Sequence, residues 1–226
     1  MSKPLLVFDM DGVLVDVTQS YRATIARTAA HFIGAEVSLD RIQEYKNRGG
    51  FNDDWKLTHR IVAEAGVDVP FESVKEHFQR LFLGNGTDGL ILRERWVARP
   101  GTLEKLNERF QFAIFTGRPR AEADLTLRRF AAGLRFDPII ATEDVRDQKP
   151  HPEGLLRIGE HNADRSVFYI GDTVDDARCA CAAGVPFIGI AAPSNPLYLD
   201  LVFLFQAEKA YAIVDDINYL EEVFAS

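Results

Sequence analysis

The sequence predicts an α/β fold: a doubly wound parallel sheet interrupted by an all-helical insert. Three observations carry that expectation. Five apolar runs are short, unbroken and free of period-two alternation, as in strands buried on both faces. Helical patterns lie between them. The stretch from Asp16 to Trp96 breaks the alternation and reads as helices only.

The runs are Leu5–Phe8, Phe112–Phe115, Ile139–Ala141, Val167–Ile170 and Phe187–Ile190. Between them, Thr102–Arg109 follows Pro100-Gly101 and sets Leu103 and Leu106 one turn apart. Ala121–Phe130 carries Leu125, Leu127 and Phe130, while Pro152–Ile158 and Asp175–Ala183 fill the later gaps. Ala212-Ile213-Val214 forms an edge strand, and a final helix starts near Asp216. In the insert, Val17–Phe32 places Tyr21, Ile25, Ala29 and Phe32 on one face. Trp55–Ala65 offers Leu57, Ile61 and Val62; Phe71–Leu83 offers Phe71, Val74, Phe78, Leu81 and Phe82. These stripes call for a small bundle of their own. The expected division is a core of residues 1–15 and 97–226 and a cap of residues 16–96. Two crossings, near Asp16 and near Arg95–Arg99, form a two-strand hinge.

Three of the runs end in chemistry. Leu5-Leu6-Val7-Phe8 stops at Asp9-Met10-Asp11-Gly12. Paired carboxylates at a buried strand end repel and are costly to desolvate, so they suit a metal ion or a nucleophile with a proton shuttle. A short Asp-rich turn is the bland alternative. Phe112–Phe115 ends in Thr116-Gly117-Arg118, where a hydroxyl and backbone N–H groups can hold a phosphate oxygen. Val167–Ile170 ends in Gly171-Asp172-Thr173-Val174-Asp175-Asp176, an acid cluster suited to a hard divalent cation. A fourth piece, Gln148-Lys149-Pro150-His151-Pro152-Glu153, stiffens a lysine between prolines. Asp9, Thr116 and Asp172 all fall at carboxyl ends of predicted strands, where open α/β sheets bind ligands.

These four segments, in this order, resemble the motifs of the haloacid dehalogenase superfamily, whose members are mostly phosphatases. The helical insert is similar to the cap of phosphoglycolate-phosphatase-like members. The resemblance implies Asp9 as nucleophile, forming an aspartyl-phosphate, and Asp11 as general acid and base. It implies Mg²⁺ on Asp9, the Asp11 carbonyl and Asp172, with Asp176 acting through water. Asp175 fits that last role equally. Thr116, Gly117 and Lys149 would bind the phosphoryl oxygens. Arg118 either reaches substrate or is a surface residue at a helix start. His151 reads as a loop residue, since Asp11 already fills the role of base.

In the cap, Lys46-Asn47-Arg48-Gly49-Gly50-Phe51-Asn52-Asp53-Asp54-Trp55 reads as a loop dipping into the cleft, with Arg48 selecting the leaving group. The plainer reading makes Asn52 a helix N-cap and Trp55 a core anchor.

Composition narrows the function. The 226 residues carry a formal net charge of -8 with pI near 5.2, against a nucleic-acid partner. The apolar run behind Met1-Ser2-Lys3-Pro4 has strand length, not signal-peptide length. No apolar stretch approaches the roughly 20 residues that span a bilayer. A cytoplasmic protein is expected, and Cys179 and Cys181 read as small core residues. Asn85-Gly86-Thr87 reads as a turn. The expected activity is Mg²⁺-dependent hydrolysis of a small phosphorylated metabolite. A phosphosugar mutase is the alternative, and a non-catalytic binding module the less favoured one. A dehalogenase has no need of Asp11. Oligomeric state stays open.

Overall fold

The computed structural model describes residues 2–225. A six-stranded parallel sheet runs in the order β5-β4-β1-β6-β7-β8. The strands are β1 (Leu5–Phe8), β4 (Gln111–Phe115), β5 (Ile139–Ile140), β6 (Val167–Gly171), β7 (Phe187–Ile190) and β8 (Ala212–Val214). Central β1 pairs Phe8 with Ile114 of β4 on one side and with Ile170 of β6 on the other. Its four residues are fully buried, yet they serve two cores. Leu6 and Phe8 pack with Phe112 and Ile114 on one face; Leu5 and Val7 pack with Ala113, Phe115 and Tyr169 on the other. Burial on both faces accounts for the unbroken apolar runs. From β1 the chain builds outward through β4 and β5, then crosses to the opposite side at β6. That reversal opens a crevice beyond the strand ends.

The insert is a bundle of α1 (Tyr21–Ile33), α2 (Leu39–Arg48), α3 (Asp54–Glu64) and α4 (Phe71–Leu83). Two strands, β2 (Val15–Asp16) and β3 (Arg95–Trp96), pair antiparallel where the chain leaves and re-enters the core. An Arg95–Asp16 ion pair of 2.6 Å sits beside them. The expected faces of α1, α3 and α4 point inward, burying Tyr21, Ile25, Ala29, Leu57, Ile61, Val62, Val74, Phe78 and Phe82.

Core helices are α5 (Thr102–Arg109), α6 (Arg120–Phe130), α7 (Glu153–Glu160), α8 (Val174–Ala183), α9 (Tyr198–Ala207) and the short α10 (Leu220–Val223). Two helices exceed the sequence expectation. α2 buries only Ile42, Gln43 and Tyr45, too thin a stripe to reveal a period, although Ser38 caps it by accepting the Arg41 N–H. α9 is mostly apolar and leaves Leu199 and Phe203 exposed, so its polar residues, Asp200 and Gln206, give little contrast with the buried face. Cys179 is buried as expected, but Cys181, two residues along α8, is exposed.

The hinge is anchored by a buried ion pair. Arg118, at the start of the segment leading into α6, is 2% exposed. Its Nη2 lies 2.8 Å from Glu94, just before β3, and its Nη1 donates to Thr126 at 2.9 Å. Thr126 donates in turn to Glu94 at 2.7 Å. Burial raises the Glu94 carboxyl, which Arg118 opposes. Arg118 is therefore no surface residue. Its guanidinium also lies over the Tyr21 ring of α1 at 4.9 Å, so cap, hinge and core meet on one side chain.

Arg118→Leu leaves Glu94 buried without its cation, with Thr126 as its remaining donor. It should destabilise the fold by about 3–5 kcal/mol. The double variant Arg118→Leu/Glu94→Gln should recover part of that loss. Urea unfolding midpoints check both, and an unchanged midpoint in the single variant would contradict a net role for the pair.

Candidate active site

The end of β1 delivers Asp9 into the crevice, 5% exposed, with its carboxylate accepting the Met10 N–H at 2.7 Å. Lys149 comes from the loop before α7. Its Nζ stands 3.1 Å from Asp9 and 2.7 Å from Asp176, and it donates to the Tyr169 hydroxyl at 3.1 Å. Burial disfavours its charge, but the carboxylates of Asp176 and Asp9 outweigh that and hold its pKa above the usual lysine value. Asp176 is itself saturated. It accepts from Lys149, from the Tyr169 hydroxyl at 2.7 Å, and from the Thr173 N–H and hydroxyl at 3.0 and 2.7 Å. These partners lower its pKa despite burial.

Asp9 contrasts with Asp176. Burial pushes its carboxyl up to about 7, with Lys149 pulling the other way and Asp176 adding to the rise. Asp172, at the end of β6, is also raised well above its ordinary value by burial and by Asp176. Its nearest cation is Arg22 of α1, 3.9 Å away. Asp9, Asp172 and Asp176 each bring one oxygen within 4.8 Å of the others. Two of the three thus lack sufficient positive charge, in a cluster of hard oxygen donors. This acid set fits a hard divalent cation. Gly12 permits the arrangement: its φ is +71°, and a Cβ there would fall 1.9 Å from the Asp172 carboxylate.

Asp11 follows on the same turn, its side chain gripped by Arg118 Nε at 2.7 Å and by Nη2. Thr116 ends β4, is buried, and accepts the Arg118 N–H at 3.2 Å. Gly117 lies beside it in the cleft wall. The four sequence segments therefore converge. Asp9, Asp11, Gly117, Arg118 and Asp172 line one cleft, and Thr116, Lys149 and Asp176 are packed immediately behind it. His151 is an exposed loop residue whose Nδ1 accepts the Glu153 N–H at 3.3 Å.

The structure also separates the two neighbouring acids. Asp176 faces Lys149, whereas Asp175 faces the cap and accepts the Gly50 N–H at 2.8 Å and the Phe51 N–H at 3.2 Å.

The cap loop reaches the cleft as expected, but not through Arg48. Arg48 is exposed and stacks over the Tyr45 ring at 5.0 Å, in a separate groove beside Asp200 and Phe203 of α9. Helical geometry explains this, since residues two apart on α2 point to different sides. Lys46 is the one that enters the cleft, paired with Asp54 at 2.6 Å and donating to the Phe51 carbonyl at 3.0 Å. Asn52 is not the helix cap. Asp53 caps α3, accepting from the Trp55 and Lys56 N–H groups, while Asn52 lines the cleft. Trp55 is half-buried; it lines the cleft and also packs against the hydrophobic core. Arg22 and Tyr169 carried no signal of their own. One is a lone cation on an amphipathic helix, the other an aromatic in an apolar strand.

A family model described as haloacid dehalogenase-like hydrolase matches residues 6–190. An imidazoleglycerol-phosphate dehydratase of Phytophthora nicotianae is 35% identical over 208 residues, covering 86% of this chain. The chain spans only 45% of that protein's length. A phosphoglycolate phosphatase of Shigella boydii is 25% identical over 235 residues, covering 94% of this chain and 90% of that protein. The crystal structure of a putative haloacid dehalogenase-like hydrolase from Bacteroides fragilis superposes with a TM-score of 0.74 at 24% identity, over 97% of this chain and 100% of that one. That last likeness bears on the fold, and the family match adds the lineage: the chain belongs to the haloacid dehalogenase-like hydrolases.

Proposed function

We propose that this protein is a Mg²⁺-dependent phosphomonoesterase that hydrolyses a small phosphorylated metabolite in the cytoplasm. The observation that carries this reading is the Lys149 ammonium bridging Asp9 and Asp176 beside Asp172. It sets a carboxylate nucleophile against a fixed cation at the floor of a cleft. Among the described residues no helix is long and apolar enough to cross a membrane.

In the proposed reaction, a carboxylate oxygen of Asp9 attacks phosphorus as the ester P–O bond breaks. Asp11 gives its proton to the departing alkoxide. A water then attacks the aspartyl-phosphate, loses a proton to Asp11, and frees Asp9 and inorganic phosphate. Lys149, Thr116 and the Gly117 N–H hold the phosphoryl oxygens. Arg118 keeps the Asp11 carboxylate aimed from the hinge side. Asp9, Asp172 and the Asp11 carbonyl would hold Mg²⁺, with Asp176 behind them through water. When bound, the ion supplies charge neutralisation for the phosphoryl group.

The Phytophthora relative is named for a dehydration, and more than half of its length lies outside the part shared here. Its name therefore does not pass to this chain. A dehydration leaves a phosphate ester intact, however. Imidazole-bearing phosphomonoesters accordingly join hydroxy- and carboxy-substituted ones as the substrate classes to screen.

A phosphate-release screen over such a panel should find turnover. Free phosphate as product fits a hydrolase; an isomeric phosphosugar instead would favour the mutase. Asp9→Asn should lower kcat by at least about 10³-fold with an unchanged circular dichroism spectrum. Turnover near the wild-type rate in that variant would rule out Asp9 as nucleophile.

Chelation should abolish activity and Mg²⁺ restore it. Ca²⁺ should fail to do so, because its larger, looser shell can draw both oxygens of a carboxylate. Full activity after exhaustive chelation would contradict a metal role for the acid cluster.

A further inference from the structure

The surface of α9 carries the most exposed large apolar side chains among the described residues, Leu199 at 77% and Phe203 at 70%. Four residues apart, they stand on one face of the helix and form a single ridge. Exposed apolar area of this kind is stabilising only once something covers it, so a continuous ridge marks a contact surface. Beside it lies a groove of about 390 Å³. Leu197, Phe203 and Leu204 wall the groove on the core side, and Glu44, Asn47 and Arg48 of α2 wall it on the cap side.

The charges of the groove say what covers it. Arg48 and Asp200 bring opposite signs to it, and neither forms an ion pair with a described residue. Glu44, by contrast, is already paired with Arg41 at 3.2 Å. One patch therefore holds a ridge and a groove, an unpaired cation and an unpaired anion. Each member has its complement in the same patch, which is the condition for a two-fold contact between identical chains. A two-fold axis through the patch turns the ridge of each copy toward the groove of the other. The same rotation sets each Arg48 against the other copy's Asp200. Because α2 belongs to the cap and α9 to the core, a copy seated there touches both units of its partner.

We propose that α9 is the centre of a homodimer interface, in which Phe203 enters the α2–α9 groove of a second copy and Arg48 pairs with that copy's Asp200. The interface is independent of the phosphomonoester reading of the cleft, and its test requires no turnover. Sedimentation velocity follows the chain from about 1 to 200 µM in about 0.15 M NaCl, where screening limits repulsion between two chains of formal net charge -8. The protein should pass from monomer to dimer with a Kd on the order of 10 µM, as small transient interfaces do. Phe203→Glu changes a side chain that the fold leaves in water. It should weaken association by at least about tenfold with an unchanged Tm. Arg48→Asp and Asp200→Arg should each weaken it by about tenfold, since each sets like charges together twice across the axis. An equimolar mixture of those two variants should recover a mixed dimer, because both contacts then place Asp against Arg. A pairing within one chain cannot be restored by mixing. A protein that stays monomeric over the whole range would overturn the proposal and leave the ridge to a different partner. So would undiminished association of Phe203→Glu, or a mixture that associates no better than its components.

Discussion

Everything in the cleft turns on one buried ammonium. Lys149 is 3% exposed and stands between Asp9 and Asp176, within 3.1 Å of both. Without it, three carboxylates would crowd a largely buried site, where like charges drive each other toward protonation. The lysine, with Tyr169 and Thr173, satisfies Asp176, whereas Asp9 has the lysine and one backbone N–H, so the first acid's pKa is lowered and the second's is raised. That asymmetry separates a scaffold acid from a reactive one. Tyr169 and Thr173 reinforce it by placing their hydrogen bonds on Asp176 alone.

The sheet makes this geometry repeatable. Register brings Phe8 level with Ile114 and Ile170, so the residues just beyond those strands meet at one height. Apolar packing on both faces of β1 sets that register, and the polar groups ride on it. The fold thus spends its hydrophobic contacts on aligning strand ends, while the ion pairs decide what the ends do.

The core was readable because its signals are local. A run such as Leu5–Phe8 followed by Asp9 states both a buried strand and its functional end within a few residues. The cap was readable only where its apolar stripe was wide. α1, α3 and α4 announce themselves, while α2 carries a thin stripe and α9 carries little polar contrast. Long-range pairing was illegible in principle. Nothing in Asp175-Asp176 says that one acid turns to Lys149 and the other to the Gly50 backbone. Likewise, the choice between Lys46 and Arg48 for the cleft depends on where α2 stops, a boundary that glycine-rich segments blur. Arg118 could be read either as a surface residue or as a substrate contact. Its burial depends on Glu94, whose position follows from the return of the chain through the hinge.

The paired strands β2 and β3 have a mechanical consequence. Two separate linkers would let the cap swivel and tilt independently. Here the outgoing and returning chains are stitched together, Val15 to Trp96 and Asp16 to Arg95. A strap of that kind ties the two linkers into one connection, so neither can bend without carrying the other with it. In the closed arrangement seen here the cap meets the core at the contact between Gly50 and Asp175.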